Sequence, residues 1–157
     1  MIKYYIIFTF LLFCLIYCTK EEIKNKVSNY VPLFSASIEG KEWIGTASWR
    51  TTPIPLVGHQ TVITAVGSEG VSGSSIVITV GTNRAGAYSL GPATSGNTAY
   101  YIEGQKRYDA TQGQIQFSLF DTINKRISGT FSIQVRNADG ITKDITNGKF
   151  ENLPQQL

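Results

Sequence analysis

The sequence predicts an all-β fold, an antiparallel β-sandwich of about eight or nine strands. Three observations carry this. From Leu33 onward apolar and polar residues alternate with period two, β-branched and aromatic residues fill the alternating runs, and Gly, Asn, Asp or Pro marks the breaks. No helical period lasts beyond two turns there, so the sheet has no helix to cover its apolar face. Two packed sheets or a barrel would satisfy that need, and the sandwich is the expectation. The Cys…Trp…Cys spacing of immunoglobulin domains is absent.

The segment before the strands reads as an address. Lys3 precedes an apolar run from Tyr4 to Tyr17. A bilayer-spanning helix needs ~20 apolar residues, so this run matches the h-region of a signal peptide better than a span. Residues 1–17 are read as the signal, residues 18–32 as a lipidated cysteine with a flexible tether, and residues 33–157 as the domain. Stretched fully, a tether of this length reaches ~50 Å.

The strands follow in order. Phe34, Ala36 and Ile38 alternate with Ser35 and Ser37, and Glu39-Gly40-Lys41 makes a turn. Trp43, Gly45, Ala47 and Trp49 share one face of the next strand. Thr52 to Pro55 is expected as a loop, because its prolines remove ladder donors. Thr61–Gly67 and Ser74–Gly81 are interior strands joined by a Gly/Ser-rich connection, and Ala87–Leu90 and Thr98–Glu103 are shorter ones. From Gln114 to Asn137 runs a hairpin, with Ile115, Phe117 and Leu119 on one face and Ile127, Gly129, Phe131, Ile133 and Val135 resuming it. Asp139-Gly140 turns the chain into the last strand, starting at Ile141. Ile141 and Ile145 occupy odd positions but Phe150 an even one, so an extra residue at Asn147-Gly148 is expected as a β-bulge.

Leu15 stands three places before Cys18 and resembles the bacterial lipobox, although Tyr17 occupies a position normally held by a small residue. The resemblance implies a diacylglyceryl group on Cys18. Thr19-Lys20-Glu21-Glu22 resembles the signal that displays many lipoproteins of the phylum Bacteroidota on the outer membrane surface. Further along, Phe34–Trp43, Gly86–Gly91, Ile127–Ser132 and Ile145–Phe150 together resemble an uncharacterised lipoprotein family of Bacteroidota. That resemblance implies a lipid-anchored β-sandwich of the cell envelope, attached to the outer membrane, and supplies no catalytic or binding residues.

Composition excludes several functions. The formal net charge is +3, and the only adjacent basic pairs from the domain onward, Lys106-Arg107 and Lys125-Arg126, are expected in loops or turns. No basic face for nucleic acid results. His59 is the only histidine, and Cys18 is the only cysteine beyond the signal, so neither a multi-histidine zinc site nor a thiol nucleophile can be built. Following two prolines and a glycine, His59 reads as a solvated loop residue. Nucleophile-elbow, Walker and dinucleotide glycine motifs are absent. No catalytic residue, metal or cofactor is expected. Glu103, Asp109 and Asp121 would form a carboxylate pair only if their strand ends converged.

The aromatics point to recognition. Trp43 and Trp49 read as core, whereas Tyr100 and Tyr101, being strand neighbours, point to opposite faces. Tyr100, Tyr101, Lys106, Arg107 and Tyr108 form the candidate ligand-contact patch. The expected function is a non-enzymatic module binding a glycan or an envelope protein. The alternatives are a structural accessory subunit of an envelope complex, docked by a strand edge, and an enzyme acting on surface glycans.

Overall fold

The computed structural model describes residues 33–156, apart from 57 and 69–72; the signal, Cys18 and the tether lie outside the described residues. The chain divides into two units, Met1–Val31 and Pro32–Leu157. The second holds nine strands: β1 (Leu33–Ile38), β2 (Lys41–Ile54), β3 (Gly58–Gly67), β4 (Ser74–Val80), β5 (Gly86–Leu90), β6 (Thr98–Glu103), β7 (Lys106–Asp121), β8 (Arg126–Asn137) and β9 (Thr142–Pro154).

The expected sandwich is corrected to a closed barrel. Eight strands pair antiparallel in the ring β1-β2-β3-β4-β6-β7-β8-β9, and β9 pairs again with β1. On the edge of β7 away from β8, β6 covers residues 106–109 and β5 covers residues 113–117, so β5 stands outside the ring count. Alternation does not distinguish the two architectures, because both bury every second residue. Closure follows from long strands that coil: β2, β7, β8 and β9 have 12 to 16 residues, and bulges bend β7 and β9.

The expected bulge is present. Phe131 faces Gly148 while Ile133 faces Ile145, leaving one extra residue on β9, where Asn147 takes a φ of 52°. Phe150 is thereby turned inward and fully buried. A second bulge at Asn152, unforeseen from the sequence, does the same for Leu153. A third, at Ser118, changes the expected facing of the long hairpin: Leu119 is turned outward, 40% exposed, and Phe120 packs inward instead. Ile141 precedes β9 and is exposed.

Two further expectations change. The proline stretch is no loop, since β2 continues through Pro53 and Ile54, paired with His59 and Gly58. This hairpin projects past the start of β1, so its prolines interrupt few ladder bonds. Lys106 and Arg107 open β7 rather than lying in a loop. His59 is exposed, as expected, but sits in β3.

The barrel is filled. Trp43, Phe34, Phe150, Phe117, Phe120 and Trp49 make a continuous run of ring contacts with centroid separations of 5.8, 6.3, 5.7, 5.3 and 5.2 Å. Glycine makes room for it: a Cβ on Gly129 would strike the Phe150 ring and the Gln116 carbonyl. Each ring repays burial with a large apolar area and edge-to-face contacts. The interior is therefore core, not a ligand chamber.

The two ends differ. At one end the β1–β2, β6–β7 and β8–β9 turns form a mouth. At the other end, the base, Gln155 N–H donates to the Lys125 carbonyl and Gln156 N–H to the Trp49 carbonyl, so residues 155 and 156 tie the β7–β8 turn to β2 past short β1.

Candidate functional site

At the mouth lies a pocket of about 280 Å³ lined by Ile38, Glu39, Lys41, Glu42, Trp43, Tyr101, Glu103 and Lys143. Strand parity explains the set. Tyr101 and Glu103 are two apart on β6, Ile38 ends β1, and Lys143 precedes the buried Ile145 by two on β9. Each is an inward position at the strand end where the packed core gives way to solvent.

Hydrogen bonds fix the arrangement. Trp43 Nε1 donates to Ser74 Oγ at 2.8 Å, and Ser74 in turn bonds to Tyr101. The Tyr101 hydroxyl donates to Glu103 Oε1 at 3.3 Å, and Lys143 Nζ donates to Glu103 Oε2 at 2.6 Å. One carboxylate thus holds a phenol with one oxygen and an ammonium with the other. The ammonium also lies 5.7 Å from the Tyr101 ring centre and 5.1 Å from that of Tyr108, within cation–π range. Asp144 N–H donates to Glu39 Oε1, which docks the β1–β2 turn beside Lys143.

Electrostatics follow from these contacts. The Lys143 hydrogen bond, opposed by partial burial and helped by the lysine charge, holds the Glu103 carboxyl below its ordinary range. Burial pushes the Tyr101 phenol up to about 12, with the Glu103 charge and hydrogen bond adding to it. Both groups keep these states at neutral pH: an anion on Glu103, a neutral donor on Tyr101. The mouth brings carboxylate acceptors and a cation together above buried aromatic rings. Among the described residues no group of three His, Cys, Asp or Glu is placed to hold a metal.

The sequence-derived patch divides between two places. Tyr101 and Tyr108 are buried, point inward and reach the mouth, their rings 5.9 Å apart. Tyr100 and Arg107 lie on the outer wall, where the guanidinium sits 4.1 Å above the Tyr100 ring and pairs with Asp109. Lys106 is exposed at the start of β7, opposite Glu103. Glu39, Lys41, Glu42, Glu103 and Lys143 were not part of that patch. The signal that finds Lys143 is its parity with Ile145: a lysine on the apolar face of a strand end needs a partner. Trp43 and Trp49 are core, as expected, both buried. Glu103 and Asp121 occupy opposite ends of the barrel, so the three carboxylates do not converge.

Among the described residues no helix is long and apolar enough to cross a membrane. No curated protein and no solved structure matches the chain. A family model does match, over residues 31–154, nearly the whole barrel unit. The chain therefore belongs to the family described as Domain of unknown function (DUF6252).

Proposed function

We propose that this protein is a non-enzymatic binding module of the cell envelope, anchored to the outer membrane of a Bacteroidota cell by a lipid on Cys18, and that it takes a saccharide-sized polar ligand at the barrel mouth. The observation that carries this reading is the Tyr101–Glu103–Lys143 cluster in a pocket at the end of a filled barrel. Such a pocket pairs hydrogen-bonding charges with aromatic walls, the combination that hydroxylated ligands require, and barrel mouths are common ligand sites. An accessory subunit docking by a strand edge finds less support, because closure gives every ring strand a neighbour on both sides and leaves unpaired edge chiefly on short β5 and the projecting β2–β3 hairpin.

A panel of mono- and disaccharides, including amino sugars, titrated by NMR tests the mouth. Saturable shifts should centre on residues 38–43, 101–103 and 143, and Glu103→Gln should weaken them about tenfold, on the order of one charge-assisted hydrogen bond. Arg107→Ala on the outer wall should change nothing. Shifts confined to the outer wall, or none at all beside a stable cross-linked protein partner, would sink this reading. Tyr101→Ala is a poor probe because the ring is buried; Tyr101→Phe keeps the packing. The anchor is checked by intact mass: the mature chain should begin at a diacylated Cys18, and any other start overturns the localisation.

A further inference from the structure

The base of the barrel carries two large apolar side chains that stand exposed among the described residues. Leu56, at the tip of the β2–β3 hairpin, is fully exposed, and Ile123, at the tip of the β7–β8 hairpin, is 89% exposed. Each belongs to a protruding turn at the base, and the two hairpins stand on opposite sides of the eight-strand ring. Solitary exposed apolar residues need no explanation. Two on opposing tips at one end place apolar side chains on both sides of the barrel axis.

Charge at this end has one dominant sign. Lys125 and Arg126 follow Ile123 by two and three residues, and Arg84 lies in the connection just before β5; all three are exposed. None enters the three ion pairs found among the described residues. The nearby carboxylates are already committed. Asp121 accepts the N–H groups of Ile123 and Asn124 to close its own turn, and Glu151 pairs with Lys149 at 2.7 Å. The mouth, by contrast, is mixed in sign, with Glu39, Glu42 and Glu103 beside Lys41 and Lys143.

Connectivity supplies the third observation. β1 runs from Leu33 to Ile38 at the mouth, so the chain enters the barrel unit at the strand end that faces away from the mouth.

We propose that the base is a docking surface for an anionic lipid membrane: Leu56 and Ile123 enter the headgroup region while Arg84, Lys125 and Arg126 meet its phosphates. Exposed apolar side chains on the same face as cations bind an interface, by partial burial together with attraction to anionic lipid. Contact at two opposite tips of the base turns the mouth away from the bilayer. Where the Cys18 lipid holds the protein at a membrane, the weak contact of the tips becomes intramolecular and sufficient.

Residues 32–157 contain every strand of the closed ring and one continuous core, so this unit folds without the segment before it. Carrying no acyl group, it tests the surface independently of Cys18 and of the mouth. The experiment is flotation of residues 32–157 with vesicles of phosphatidylethanolamine and phosphatidylglycerol, against vesicles of phosphatidylcholine alone, at low salt. Expected is binding to the anionic vesicles that falls at least tenfold in the double variant Leu56→Asp/Ile123→Asp and severalfold in Lys125→Glu/Arg126→Glu. Ile141→Asp, near the mouth, should bind as the parent does. The substituted positions are exposed, and unchanged circular dichroism confirms each fold. No binding, equal binding to both vesicle types, or equal loss in Ile141→Asp overturns the proposal.

Discussion

Glu103 and Tyr101 make opposite demands on pH. With its carboxyl held below the ordinary 4.5, Glu103 adds stability that is present above that value and fades as pH falls through the folded-state value. Tyr101, raised from 10.0 to about 12, adds stability that is intact below pH 10 and fades as pH rises toward 12. Glu103 is half exposed, so solvent screens its share. Glu103→Gln should therefore flatten the acid limb of a melting-temperature profile, and Tyr101→Phe the alkaline limb. A Glu103→Gln profile parallel to the parent's below pH 5 would show that the Lys143 contact carries no linkage. Parity along β6 makes the inward direction of Tyr101 and Glu103 legible in the sequence. The partnership with Lys143 is not legible there, because 40 residues separate it from Glu103 and only ring closure joins them.

At the scale of elements, strand existence was easier to read than strand shape. The repeating faces of β1, β2 and β8 follow directly from alternation, and the Asn147 bulge from a break in it. The Ser118 bulge left no such trace, since Phe117, Leu119 and Phe120 offer apolar choices on both faces. Packing decides there: Phe120 inserts between Trp49 and Phe117 and leaves Leu119 outside. Prolines misled for a related reason, because their cost depends on how many neighbours a strand has at that point. Asn147 holds a left-handed φ that asparagine tolerates and β-branched residues resist. Asn147→Val should cost about 1–2 kcal/mol in urea unfolding, whereas Asn147→Gly should stay within a few tenths. Equal stability of all three would mean that the bulge relaxes elsewhere.

For the whole molecule, the apolar pattern fixes how much surface must be hidden and leaves open how the sheet closes on itself. A sandwich and a barrel of this length bury similar side chains; the coiling of long strands chooses between them. The same coiling assembles the mouth from β1, β2, β6 and β9, which no local window of sequence shows. It also leaves the aromatic run along the interior, so the barrel is occupied by its own side chains.

The pairing of β1 with β9 has a temporal side. The first strand of the ring is partner to the last, so no shorter stretch of chain, counted from its beginning, can close the barrel. A polypeptide arriving amino end first must keep one edge of β1 unmatched until residues 142–154 have followed, and long-range pairing of this kind is slow to form. The order of synthesis thus places the decisive contact at the finish: the domain becomes a barrel only once nearly all of it is present in the same compartment.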